Sequence, residues 1–298
     1  MRSALVGLVA AGVLGAAVGA PATARTLDTA PAAAMALQPD RAPDRVLTRA
    51  LARPTTAFHF TVNVKHPAGA HRVGFNVFDT GTSAEQIAAL PSGSVALVWL
   101  GQKCPTAIDH AFRQVVRGLA SNDRVFGYFL SDEPHIADCP LGPAHLAQRA
   151  GFIRKVSDNR QKSLIVMSAT VPSGYHAFRP KVTRVSMVGI DPYPCSIEHP
   201  RCDYRLITLR VRNALHAGIR RSAIVPTFQT FGQESLKGHH YYNLPTPRQL
   251  KRILNTWAKL VPHPKMDASY GWGHQNSANP SLVDANGLQD VLHRYFRG

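Results

Sequence analysis

The sequence predicts an α/β fold, a (β/α)8 barrel with some irregularity, and three observations carry that prediction. From residue 73 onward, short β-branched or aromatic runs alternate with helix-period segments, the pattern of a parallel sheet built by crossovers. Most of the runs are apolar on both faces, as strands are when helices cover them outside and other strands pack within. Residues 73–298 suit the length of such a barrel. The first run ends FNVFDTGTS, with no Gly-x-Gly-x-x-Gly loop, and no Walker motif occurs anywhere, so an open nucleotide-binding sheet is disfavoured.

The elements follow in order. Residues 1–24 read as a secretory signal peptide: Arg2, an apolar Gly/Ala-rich stretch from Ala4 to Ala20, then a small-x-small site at Ala22-Thr23-Ala24. Residues 25–55 are rich in Ala, Pro, Arg and Asp without a period, as in a linker or loosely held arm. The barrel domain spans 56–298. Its strands are read at Val73–Phe78, Val95–Leu100, Val125–Leu130, Leu164–Ser168, Val185–Ile190, Ala223–Phe228 and Ala268–Trp272. Helices are read at Asp109–Ala120, Ala144–Val156, Tyr204–Ala217, Pro247–Leu260 and Asn286–Phe296. In the last two, Leu250, Ile253, Leu254 and Trp257, then Leu288, Val291 and Leu292, recur at three-to-four spacing. The eighth strand is Phe58–Val64. Its link to Val73 is too short for a helical crossover, so it is expected to pair antiparallel or to plug the barrel floor.

The 298 residues hold 34 Lys and Arg against 18 Asp and Glu, a net charge of +16. Removal of the leader would take away one Arg and leave +15. Export makes nuclear or ribosomal roles, and nucleic acid as a partner, poor readings of this charge. Anionic cell-wall polymers fit it. Four cysteines in an exported chain favour disulfides. Cys195 and Cys202 bracket the short loop CSIEHPRC, and Cys104 and Cys139 each follow one of two consecutive strands, so the expected pairs are 195–202 and 104–139. No Cys-x-x-Cys pair points to zinc, and no cofactor motif appears.

Functional groups of such a barrel collect at the C-terminal strand ends. Here those ends carry Asp79, Gln102, Asp132 and Glu133, Ser168 and Thr170, Asp191 and Tyr193, Gln229, and then Trp272, His274 and Gln275. Carboxylates and amides hydrogen-bond sugar hydroxyls and an indole face stacks on a pyranose, so this is the lining of a carbohydrate cleft. The sharpest motif is Tyr128-Phe129-Leu130-Ser131-Asp132-Glu133-Pro134. It resembles the acid/base strand of the large retaining clan of (β/α)8 glycoside hydrolases, and GIDPYP and YGWGHQ are similar to later strands of those barrels. The resemblance covers about residues 73–275. It implies Glu133 as general acid. It also implies a second Glu where this chain has Gln229, which cannot form a glycosyl-enzyme ester.

Asp191 and Asp79 are therefore the candidate second carboxylates, with Asp132, Tyr193, Gln229, Trp272, His274 and Gln275 as candidate sugar-binding groups. A carboxyl gap of about 5–5.5 Å would indicate retention, and about 6.5–9.5 Å inversion. Strand alternation would send Asp132 and Glu133 to opposite faces, so only Glu133 is expected in the cleft. Bland readings stand beside these: Asp132 and Glu133 as loop carboxylates, Asp191 as a turn initiator, Trp272 as core, Gln229 as a satisfied buried amide. Glu234 and His239-His240-Tyr241-Tyr242 fall in a loop expected over the cleft. Arg205, Arg210, Arg212, Arg220 and Arg221 read as solvated faces. The sequence thus points to a secreted, monomeric, disulfide-bonded barrel of glycoside-hydrolase type. The alternatives are a barrel that binds glycan without cleaving it and a basic envelope protein that binds anionic wall polymers.

Overall fold

The computed structural model describes residues 56–233, 241–275 and 279–297. The leader, the arm, Glu234, His239 and His240 lie outside them. Eight parallel strands close into a barrel in chain order: β1 His59–Thr61, β2 Val77–Thr80, β3 Val95–Trp99, β4 Val125–Asp132, β5 Lys162–Met167, β6 Met187–Ile190, β7 Ile224–Gln229 and β8 Asp267–Tyr270. Around them lie α1 Pro67–Val73, α2 Ala84–Ala88, α3 His110–Leu119, α4 Gly142–Val156, α5 Pro172–His176, α6 Pro180–Thr183, α7 Arg205–His216, α8 Pro247–Leu260 and α9 Asn286–Arg297.

The chain-terminal closure corrects one expectation. β1 pairs parallel with both β2 and β8, neither antiparallel nor as a plug. The crossover to β2 fits because Pro67 starts a short α1 in its first turn and Gly74, at φ 118°, ends it in the left-handed region. Val73 is therefore the last residue of a helix, not the first of a strand. At the other end β8 stops at Tyr270, which leaves Trp272 beyond the sheet.

Alternation along each strand builds two apolar layers. Phe60, Val77, Leu97, Leu164, Met187, Val225 and Ala268 fill the barrel interior. Their neighbours Phe78, Val98, Ile165, Val188 and Phe228 face the helices and join Leu250, Ile253, Leu254 and Trp257 of α8. Helix starts are fixed by local chemistry. Asp109 accepts from the Phe112 amide at 2.8 Å, and Thr246 with Gln249 forms a capping box at α8.

At the N-terminal floor, His59 Nδ1 lies 2.9 Å from Asp267 Oδ1, both side chains buried, and the imidazole stacks on Phe296 at 3.9 Å between ring centres. At the opposite rim, disulfides join Cys104 to Cys139 and Cys195 to Cys202, the pairs expected from their placement. Among the described residues no cysteine is free, and no helix is long and apolar enough to cross a membrane.

Candidate active site

Inward alternation carried to the strand ends puts Asp79 on β2, Trp99 on β3, Asp191 just past β6, Gln229 on β7 and Tyr270 on β8 at the barrel mouth. β4 departs from simple alternation. Its register with β5 shifts between Phe129 and Ser131, so one residue is extra at this point. Ser131 Oγ donates to the carbonyls of Gln102, at 2.7 Å, and Lys103, at 3.2 Å, which ties the end of β4 to the loop after β3. Glu133 then takes φ 46° while its amide still donates to Val166 O at 3.0 Å. A left-handed residue that is not glycine costs about 1–2 kcal/mol, and it turns the chain within one residue.

The consequence corrects the alternation argument. Asp132 and Glu133 both act electrostatically on Asp191, Tyr193 and Tyr270, so the two share one rim. Asp191 is only 8% exposed, and its Oδ1 is buried without a hydrogen-bond partner. Its carboxyl and that of Glu133 are close enough to interact through a proton. Burial first, then the charge of Glu133, raise the pKa of Asp191 well above the carboxylate range. Asp132 opens to solvent at the mouth, yet the crowding of the cleft walls and the adjacent Glu133 raise it to about 6. Among the described residues no ion pair reaches any of the three.

Asp79 stands apart from this group. Burial raises its pKa to about 6, held down by the backbone amides of Asn63, Val64 and Asp79 itself, and Asn63 N–H donates to its Oδ2 at 3.3 Å.

Near the carboxylates stands an aromatic cluster. Tyr193 packs edge-on against Phe231 at 4.9 Å and Tyr242 at 5.4 Å, and Phe231 packs against Tyr270 at 5.2 Å. Burial and the nearby carboxylates push the Tyr242 and Tyr270 phenols up to about 12 and raise that of Tyr193 well above its ordinary value, so all three remain hydroxyl donors. Sequence reasoning named Tyr193 and set Tyr242 in a loop over the cleft, but missed Phe231 and Tyr270. The inward parity of Ala268 and Tyr270 was the available signal for the last.

The other candidates separate from this site. Gln229 is fully buried. Its Oε1 accepts from Cys195 N at 2.9 Å and its Nε2 donates to Cys195 O at 2.9 Å and Asn243 O at 3.0 Å. Its amide is spent on loop backbone and is not available to a sugar. Trp272 is 6% exposed and packs in the strand–helix layer near Phe75, a core role rather than an open stacking face. His274 pairs with Asp284 at 2.8 Å and meets Asn279 O at 2.6 Å. Both Trp272 and His274 line a cavity of about 920 Å³ between α1 and α9, beside the rim and away from Asp191 and Glu133. Gln275 is exposed on the same loop. Arg210, expected in solvent, is half-buried and donates to Ser168 O at 2.9 Å, close enough to lower the pKa of Tyr175 and Tyr242. Among the described residues no group of three His, Cys, Asp or Glu side chains could hold a metal ion.

No protein-family model matches the chain, and no curated protein matches its sequence. Solved structures match it in three dimensions. A GH128 (subgroup I) endo-β-1,3-glucanase from Amycolatopsis mediterranei, in complex with laminaritriose, is 11% identical with a TM-score of 0.54, the match covering 81% of this chain and 99% of that one. A chitinase from Bacteroides thetaiotaomicron is 9% identical with a TM-score of 0.53, covering 81% and 96%. A chitinase from Rhizomucor miehei is 11% identical with a TM-score of 0.50, covering 79% and 100%. At these identities the likeness is one of fold, the closed eight-stranded parallel barrel ringed by helices.

Proposed function

We propose that this barrel acts on carbohydrate as a glycoside hydrolase, with Glu133 delivering the proton to the glycosidic oxygen. The observation that carries the reading is the meeting of Glu133, Asp191 and Asp132 at the C-terminal rim, with no paired cation among the described residues, beside Tyr193, Tyr242 and Tyr270. Three like charges cannot all ionise in so confined a place. Burial favours the proton on Asp191, and Glu133, in contact with it, is the more exposed of the pair. Asp191 then serves as the store and Glu133 as the arm that reaches substrate. When a glycosidic oxygen binds, the proton held by Asp191 passes to Glu133 and from Glu133 to the departing sugar, so that one proton leaves the pair and one glycosidic oxygen gains it.

Asp132, ionised above about pH 6, is the rim carboxylate left to stabilise positive charge at the anomeric carbon. Asp79 lies outside the proton-sharing pair. The leader read in residues 1–24 and the two disulfides support an extracellular setting.

Purified protein screened on polysaccharides and aryl glycosides should release reducing sugar, and Glu133→Gln should not. Turnover that survives Glu133→Gln unchanged removes Glu133 from the chemistry. One observation favours a second reading: β7 ends in the structural amide of Gln229, so a glycan-binding barrel without turnover would show binding and no release in the same screen.

A further inference from the structure

The sequence pointed to Trp272 as the sugar-stacking indole, but the exposed indole at the mouth belongs to Trp99. Of the three tryptophans in the chain, Trp257 and Trp272 are 1% and 6% exposed, and Trp99 is 37% exposed. Trp99 ends β3 with the inward parity of Leu97, and β3 is the direct neighbour of β4, which carries Asp132 and Glu133. Its ring is also fixed in place. Phe129 meets it edge-on at 4.5 Å, 83° between planes. Beneath lies Gly101. A Cβ there would stand 2.6–2.8 Å from three atoms of the six-membered ring, so the ring rests on glycine backbone and no side chain fits between. A large aromatic held from below and from its edge, with the rest of its surface in water, is built for an apolar partner.

We infer that Trp99 is the platform on which a sugar ring of the ligand stacks, one strand away from the acid group, and that the ligand is a neutral oligosaccharide held by this contact rather than an anionic polymer held by charge. This rests on the carbohydrate reading above and names the part of the cleft that grips. The C–H face of a pyranose supplies the apolar surface, and the indole supplies a rigid counterpart with little side-chain entropy left to lose.

The three-tryptophan count makes the test direct, because emission open to acrylamide belongs to Trp99. Intact, disulfide-bonded protein is titrated with laminaripentaose, cellopentaose and chitopentaose. At least one should bind, protect Trp99 from quenching, and keep its affinity as salt is raised. Trp99→Ala should weaken that binding about tenfold or more, the loss expected for an aromatic anchor at a binding hot spot, with Trp99→Phe in between. Gly101→Ala keeps the indole but displaces it, and should also weaken binding while the circular dichroism of the fold is retained. A saturated complex in which Trp99 stays quenchable, or unchanged affinity in Trp99→Ala, overturns the platform and leaves the carbohydrate reading intact. No binding of any of the three oligosaccharides overturns both. Affinity that collapses with salt overturns the neutral-ligand claim, because contacts between exposed charges are screened over roughly 8 Å at physiological ionic strength.

Discussion

The two ends of this barrel treat buried carboxylates in opposite ways. At the floor, Asp267 is 2% exposed and is met by His59 at 2.9 Å, a partner that opposes the rise burial imposes on its pKa. At the rim, Asp191 is 8% exposed and is met by Glu133 and Asp132, which add to the rise. A fold selected only for stability would pair both or bury neither, since an uncompensated buried charge costs several kcal/mol. The floor pair is architecture. The rim cluster is a local cost that the rest of the barrel offsets, and such costs gather where chemistry is done.

That contrast can be broken or sharpened by experiment. The largest effect is expected at the rim in activity: Glu133→Gln should lower turnover on substrates with poor leaving groups by about 10³-fold, within the range of general acid catalysis, and leave thermal unfolding nearly unchanged. Next comes the scaffold of the rim. Replacing Cys104 and Cys139 by Ser opens a loop of sequence separation 35, and denaturant unfolding should show a loss of about 4 kcal/mol on the chain-entropy scale, against about 2.5 kcal/mol for the tighter Cys195–Cys202 loop. At the floor the ranking of effects reverses. His59→Ala should cost about 3 kcal/mol of stability by leaving Asp267 alone, with kcat/KM for the folded fraction unaltered.

Smaller effects follow from pKa shifts. Asp79 has a folded pKa near 6 against an ordinary 3.8. Between those values the folded protein holds more protons than the unfolded chain, so this contribution to stability is full below about pH 4 and is lost as pH rises through 6. Asp79→Asn should raise stability at pH 7 by about 2 kcal/mol, with the gain absent at pH 4, as read by melting curves across that window. The smallest expected effect is at Asp132, where Asn should lower kcat about tenfold and erase the rise in rate through pH 6 that ionisation of Asp132 would give the parent protein.

Much of the barrel was legible because its strands are short apolar runs and its main helices have strong three-to-four spacing; Pro247–Leu260 appears in the structure with the boundaries read from sequence. The closing strand was misread because a crossover was judged by length alone, whereas Pro67 and Gly74 compress α1 into seven residues. The rim was half legible. Asp132, Glu133, Asp191 and Tyr193 follow apolar runs and do converge. Their shared orientation was hidden, because the extra residue in β4 and the left-handed Glu133 are tertiary outcomes that alternation cannot express. Val95, Leu97 and Trp99 alternate inward in plain view in the sequence, whereas Trp272 of YGWGHQ lies two residues past the end of its strand, where alternation does not say which way it points. Arg210 looked like one of many surface cations; only the packing of α7 against the end of β5 distinguishes it.

Gln229 bears on the routes open to descendants of this chain. A one-base codon change converts Gln to Glu, so the carboxylate missing from the end of β7 is genetically close. It is structurally distant. The Gln229 amide donates to two carbonyl oxygens, of Cys195 and Asn243, and a glutamate there would set negative charge against both while losing the donors that hold them. Acquiring a nucleophile on β7 would thus require the loops bearing Cys195 and Asn243 to be re-anchored first, by substitutions that confer nothing until the last one arrives. Lineages that keep this clamp have the carboxylates of β4 and β6 to draw on at this rim, and a library that randomises position 229 alone should return folded clones dominated by the parental residue.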